Sequence, residues 1–215
     1  VGATNCKTKG IAIVPIIQAL RANEAWARTA MPEALRHYLT DHINAAAWYA
    51  DEDWLGLLRV LAKAIPPESA PEGPYVMFGR SAALRDVGDD QSEVPAAART
   101  STGGVYRQLA SGKLDPIALA RRVTTVWSLY HDTGLAEAKR DASRRNVIIY
   151  QLNDYPPVCR EVFEINQGYI EEYGKLGSVP CKVLSIYETP NARDSWSMDV
   201  GFEASPENVA SIAKL

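Results

Sequence analysis

The sequence predicts an α+β fold: an N-terminal helical layer followed by a C-terminal four-stranded antiparallel sheet arranged as hairpin, helix, hairpin. Three observations carry this. Apolar residues recur at helical spacing up to about residue 133; two pairs of strand-like segments follow Gly134, each pair joined by polar turn residues; and a helical stretch opened by Pro156-Pro157 separates the pairs. Strands that come in adjacent pairs, rather than alternating one by one with helices, favour antiparallel pairing. With 215 residues, 47% of them apolar, the chain can bury one core and reads as a single domain. The helical part covers about 9–133, the sheet-containing part about 134–204, and a short tail 205–215.

Residues 13–65 read as helices. Pro15 suits a first turn, where its missing N–H costs nothing, and Ile16, Ile17 and Leu20 follow on one face. Pro32 opens a second segment carrying Leu35 and Leu39. In AAAWYADEDWLGLL, residues 45–58, Asp51 is the expected N-cap of a helix whose first turn holds Glu52 and Asp53, where carboxylates complement the helix dipole. Trp54, Leu55, Leu57, Leu58, Leu61 and Ile65 give that helix a broad apolar stripe, and Pro66-Pro67 ends it. Between the loops PPESAPEGP and DVGDDQSEVP, the stretch YVMFGRSAAL is a short helix in which Gly79 permits close packing. STGG, 101–104, leads into a helix with Val105, Tyr106 and Leu109. Asp115-Pro116 is a strong start signal, an N-cap followed by proline, for a helix carrying Ile117, Leu119, Val123, Val126, Trp127 and Tyr130. LAEAKRDAS and RRNVIIYQL then form one hairpin, 157–173 the intervening helix, stopped by Gly174 and Gly177, and CKVLSIYE with WSMDVGF the second hairpin. Trp196, Met198, Val200 and Phe202 alternate onto one face.

Composition narrows the function. A net charge of −3 argues against a protein that lives by neutralising phosphates, so nucleic acid is not an expected partner. No apolar run approaches the length of a membrane helix, and three sparse cysteines suit a reducing compartment, which together predict a cytoplasmic protein. His37 and His42 are five apart, outside the i, i+4 register of a helical zinc pair, and there is no HExxH or CxxC, so no metal site is expected. His131-Asp132 is the best acid/base pair by residue type, yet neighbours in sequence rarely face each other. Cys159 as a nucleophile would need a base nearby, and STGG lacks the lysine of a phosphate loop. KRDASRR reads as a solvated hairpin tip. No constellation points to catalysis.

Several landmarks follow one another along the chain: Lys9-Gly10, Met31-Pro32-Glu33, Trp48-Tyr49, Phe78-Gly79-Arg80, Gly104-Val105-Tyr106-Arg107, Trp127 with Tyr130, Asp132-Thr133-Gly134, Cys159, Gly168-Tyr169 and Cys181. In order and spacing, from about Lys9 to Phe202, they resemble a bacterial, myxobacterial-type paralogous domain family of unknown function, itself distantly similar to 4-vinyl-reductase and haem-nitric-oxide-binding domains. The resemblance implies helices followed by a sheet crossed by a helix, and regulation more than turnover. Two departures count against carrying metal or haem across. The last hairpin, ETPNARDSWSMDVGF, lacks the further cysteines of the 4-vinyl-reductase pattern; and the Tyr-x-Ser-x-Arg pattern of the haem group has no match, while none of the three histidines, His37, His42 and His131, sits in a matching proximal context. The expectation is therefore a non-catalytic sensory or regulatory domain without a cofactor. It binds a small apolar ligand between helices and sheet, near Trp127, Tyr130, His131 and Cys159, with haem or another tetrapyrrole a lesser alternative. The competing expectation is an interaction scaffold acting as a homodimer.

Overall fold

A short strand that the sequence did not announce, β1 (Lys7–Lys9), opens the chain in this computed structural model, which describes residues 6–87 and 114–215. The helix expected after STGG, and the acidic loop beyond Val87, lie outside the described residues. α1 (Gly10–Arg21) follows β1 directly, so Pro15 sits inside the helix rather than in its first turn and removes one helical hydrogen bond. Burial of Ile13, Ile16, Ile17 and Leu20 offsets that loss. The start is set at Gly10, whose N–H donates to the Ala47 carbonyl at 2.8 Å and whose Cα lies against the Asn44 carbonyl, where a Cβ has no room. After α2 (Glu24–Ala30), a 3-10 helix (Glu33–Leu39) buries Leu35, Tyr38 and Leu39.

Strand β2 (Trp48–Ala50) pairs antiparallel with β1, Thr8 opposite Tyr49, and runs straight into α3 (Asp51–Ala62). Here the sequence expectation is corrected. Ala50 occupies the cap position, while Asp51 is the first helical residue and is completely buried. Trp54, Leu55, Leu57 and Leu58 form the expected stripe, and Trp48 stays exposed with the Lys9 ammonium over its ring. α4 (Pro74–Val87) and α5 (Pro116–Tyr130) complete the helical layer, the latter capped as expected by Asp115, which accepts from the Ala118 N–H at 2.7 Å.

The four-stranded sheet has the expected hairpin-helix-hairpin topology. Strands β3 (Leu135–Arg140) and β4 (Val147–Asn153) precede α6 (Arg160–Leu176); β5 (Cys181–Glu188) and β6 (Trp196–Phe202) follow it. The order is β3-β4-β6-β5, all antiparallel, with Tyr150 opposite both Ala138 and Met198. α6 begins later than expected because Pro156-Pro157 belong to the preceding turn, and it ends at the Gly177 cap with Gly174 still helical. On the sheet's inner face Met198, Val200 and Phe202 are buried, and the Tyr150 hydroxyl donates to the Ala120 carbonyl of α5 at 2.9 Å. Ser197 and Asp199, on the other face of β6, are buried too. Asp199 accepts from Arg144, Ser185 and Tyr187, and Arg144 also pairs with Asp141, so KRDASRR is a bonded tip rather than a merely solvated one. The tail folds as α7 (Pro206–Ile212), capped by Ser205 and anchored by the fully buried Ile212.

Candidate functional site

A cavity of about 400 Å³ lies inside the helical layer. Its walls come from α1, α3, α4, α5 and α6, with no strand residue among those described, so the void lies deeper in the helices than the helix–sheet boundary expected from sequence. That boundary is already filled, as the Tyr150–Ala120 bond illustrates. Most of the wall is aliphatic or aromatic, including Ile16, Leu58, Phe78, Ala82, Val123 and Trp127. Polar groups occur in two clusters.

One cluster surrounds His131, the residue that ends α5. Strand β1 pins this end of the helix: Lys7 exchanges backbone hydrogen bonds with Asp132, one to the side chain at 2.7 Å and one from the Asp132 N–H at 3.0 Å, and the Thr8 hydroxyl donates to the Tyr130 carbonyl. Asp132 is thereby turned away, and its carboxylate accepts from Lys7 and Thr133. The carboxylate that His131 meets is Asp51, 80 residues earlier, with Nδ1 to Oδ1 at 3.1 Å. The imidazole stacks on Trp127 at 3.9 Å between centroids, with Trp54 and Tyr155 edge-on at 5.2 and 5.7 Å. Two buried polar atoms in this cluster have no hydrogen-bond partner, Asp51 Oδ2 and Tyr155 Oη. Burial, and after it the Asp51 charge, hold the Tyr155 phenol far above its ordinary pKa.

The second cluster is built on Asp86, 5% exposed, near the end of α4. Its carboxylate accepts from the hydroxyls of Tyr130 and Tyr169, each at 3.1 Å to Oδ2. Burial pushes the Asp86 pKa up; Arg85, 3.8 Å away, and the two phenols oppose that without reversing it.

Of the residues expected at a site, Trp127, Tyr130 and His131 share this wall. Cys159 stands apart from it at the cap of α6, its sulfur 3.9 Å from the Arg59 guanidinium and its thiol pushed up to about 11, chiefly by burial. Such a thiol carries little nucleophilic thiolate near neutral pH. Sequence reasoning missed Asp51 and Asp86. Asp86 was read as the start of the acidic loop, whereas the helix runs on to Val87 and places it four residues after Ala82; Asp51 gave no signal, since a cap residue accounts for an acid there. Among the described residues no group of three or more His, Cys, Asp or Glu side chains is placed to hold a metal ion.

No family model matches the chain, and no curated protein matches it. Solved structures do. The Fe(II) unliganded H-NOX protein from K. algicida superposes with a TM-score of 0.56 at 12% identity, over 92% of this chain and 98% of that one. The fold is that of the H-NOX proteins. An H-NOX protein from S. oneidensis in the Fe(II)NO ligation state gives 0.53 at 11% identity, over 91% of this chain and 99% of that one. A structure described as probing heme distortion in the H-NOX family gives 0.52 at 11%, over 91% and 95%. These likenesses agree with the resemblance to haem-nitric-oxide-binding domains, and they correct the expectation of a cofactor-free domain. The structures sharing this fold are described by their iron and heme.

The residues present fit a haem. Protein haem iron takes an axial side chain such as histidine. His131 is on the cavity wall, whereas His37 and His42 are exposed and lie outside it. With Nδ1 bonded to Asp51, Nε2 is the ring nitrogen left over, and it has no hydrogen bond among the described residues. Arg85, also on the wall and partly exposed, supplies a cation suited to the carboxylates of a haem edge. The aromatic walls supply the apolar slot.

Proposed function

We propose that this chain is a sensory domain that binds haem in the five-helix cavity, where His131 would hold the iron and Trp127 and Tyr130 would form walls. The observation that carries the reading is the His131 imidazole, fixed by a buried carboxylate, on the wall of an apolar cavity in an H-NOX fold. When bound, haem supplies an iron centre whose ligation and oxidation state can change. The chain's own residues supply the rest. Trp127 stacked on His131 holds the ring against rotation, the aliphatic wall excludes water, and Arg85 offers a charge at the edge. Turnover finds no support here, because the Asp86 carboxylate accepts from two tyrosines and the Asp51 carboxylate holds His131.

Haemin titrated into the purified protein is expected to give a sharpened, shifted Soret band and a raised Tm, with both effects much reduced in His131→Ala. A spectrum that remains that of free haemin, together with an unmoved Tm in large haemin excess, overturns the reading.

A further inference from the structure

Asp51 is fully buried at the first turn of α3, yet only one of its carboxylate oxygens is used. Taking a carboxylate out of water is costly, and such groups are normally satisfied on both oxygens. The helix dipole favours a negative charge at that end, but an exposed acid would gain the same without desolvation, as Glu52 in the same turn illustrates. The His131 imidazole is hydrogen-bonded to Asp51, Nδ1 to Oδ1 at 3.1 Å. Trp127 stacks on one face of the imidazole, and Trp54 and Tyr155 stand edge-on to it, which restricts the orientations open to the ring.

We infer that Asp51 is a positioning residue for the cavity's ligand: it takes the Nδ1–H of His131 and so leaves Nε2 with a free electron pair for the bound group. A carboxylate on the far nitrogen fixes the tautomer and makes the near nitrogen a better donor, the arrangement that recurs where histidine ligates a metal. Tyr155 marks the limit of the device. Its hydroxyl is buried beside the same carboxylate, whose charge and hydrogen bonding add to burial in holding the phenol far above its ordinary pKa. Extension to iron rests on the haem reading above, whereas the tautomer does not.

The test has two arms. In ligand-free protein labelled with ¹⁵N-histidine, the neutral form of the His131 ring is expected to carry its proton on Nδ1, with the Nε2–H tautomer appearing in Asp51→Asn. Loaded with haemin, Asp51→Asn is expected to bind about 10- to 100-fold more weakly than wild type and to lower the Fe(II)–His stretching frequency. A neutral wild-type ring that carries its proton on Nε2 overturns the inference without any variant needing to fold. So does an Asp51→Asn protein with unchanged tautomer, affinity and stretch. Failure of haemin to bind either protein sinks the haem reading alone, and the ¹⁵N arm then decides the role of Asp51.

Discussion

Gly79 of α4 and Gly168 of α6 each lie against the other helix's backbone: a Cβ on Gly79 would strike the Ile165 carbonyl, and one on Gly168 the Val76 carbonyl. The two helices therefore meet without side chains between them at this crossing. Both contribute cavity wall, Phe78 and Ala82 from one and Ile165 and Tyr169 from the other, so the glycine contact sets the width of the cavity on that side.

Gly168→Ala should destabilise the protein by about 3 kcal/mol or more, because backbone must move to admit the methyl group. Helix propensity alone would predict the opposite sign, a gain of about 1 kcal/mol. Urea unfolding separates the two, and a stabilised variant would show that the helices are not in backbone contact.

Asp86 predicts a pH dependence. Its folded-state pKa is raised by burial, so the unfolded chain ionises first as pH rises, and folding then costs the protonation of this group or the burial of its charge. The contribution of Asp86 to stability is therefore greatest below the ordinary carboxylate range and is lost as pH rises through that range toward the folded value. Asp86→Asn keeps an acceptor for Tyr130 and Tyr169 but cannot ionise. Its Tm relative to wild type should climb as pH rises through and above the ordinary carboxylate range; a constant difference over that rise would refute the assignment.

Filling the cavity should separate ligand binding from folding. Ala82→Phe places a ring in the void, and the ligand-free protein should keep its Tm or gain slightly, while haemin affinity falls at least tenfold. Unchanged haemin affinity would place the ligand elsewhere.

Local chemistry was readable in advance. Asp115-Pro116 starts its helix as written, since a cap and a proline act within one turn, and Met198, Val200 and Phe202 announce a strand because alternation needs no distant partner. Pro15 misled because a proline signals a helix start only where tertiary burial does not override it, and here Gly10 fixes the start five residues earlier. Ser197 and Asp199 look solvent-facing on β6, yet Asp199 is covered through its bond to Arg144 and Ser197 is bonded to the Thr189 hydroxyl. The site was half legible. Trp127, Tyr130 and His131 share one helix end and could be grouped by spacing, but the partner of His131 lies 80 residues away in a run of acids that a helix start accounts for locally. Nothing in a sequence distinguishes an Asp that caps from one that is buried on the next turn's inner side.

The aromatic box around His131 has an optical consequence. Of the five tryptophans, Trp54 and Trp127 touch both the imidazole and the cavity, while Trp26, Trp48 and Trp196 lie outside the wall. Their ultraviolet emission is therefore a label already in place: a chromophore entering the cavity would extinguish these two indoles before the rest, and occupancy could be followed by fluorescence in unmodified protein.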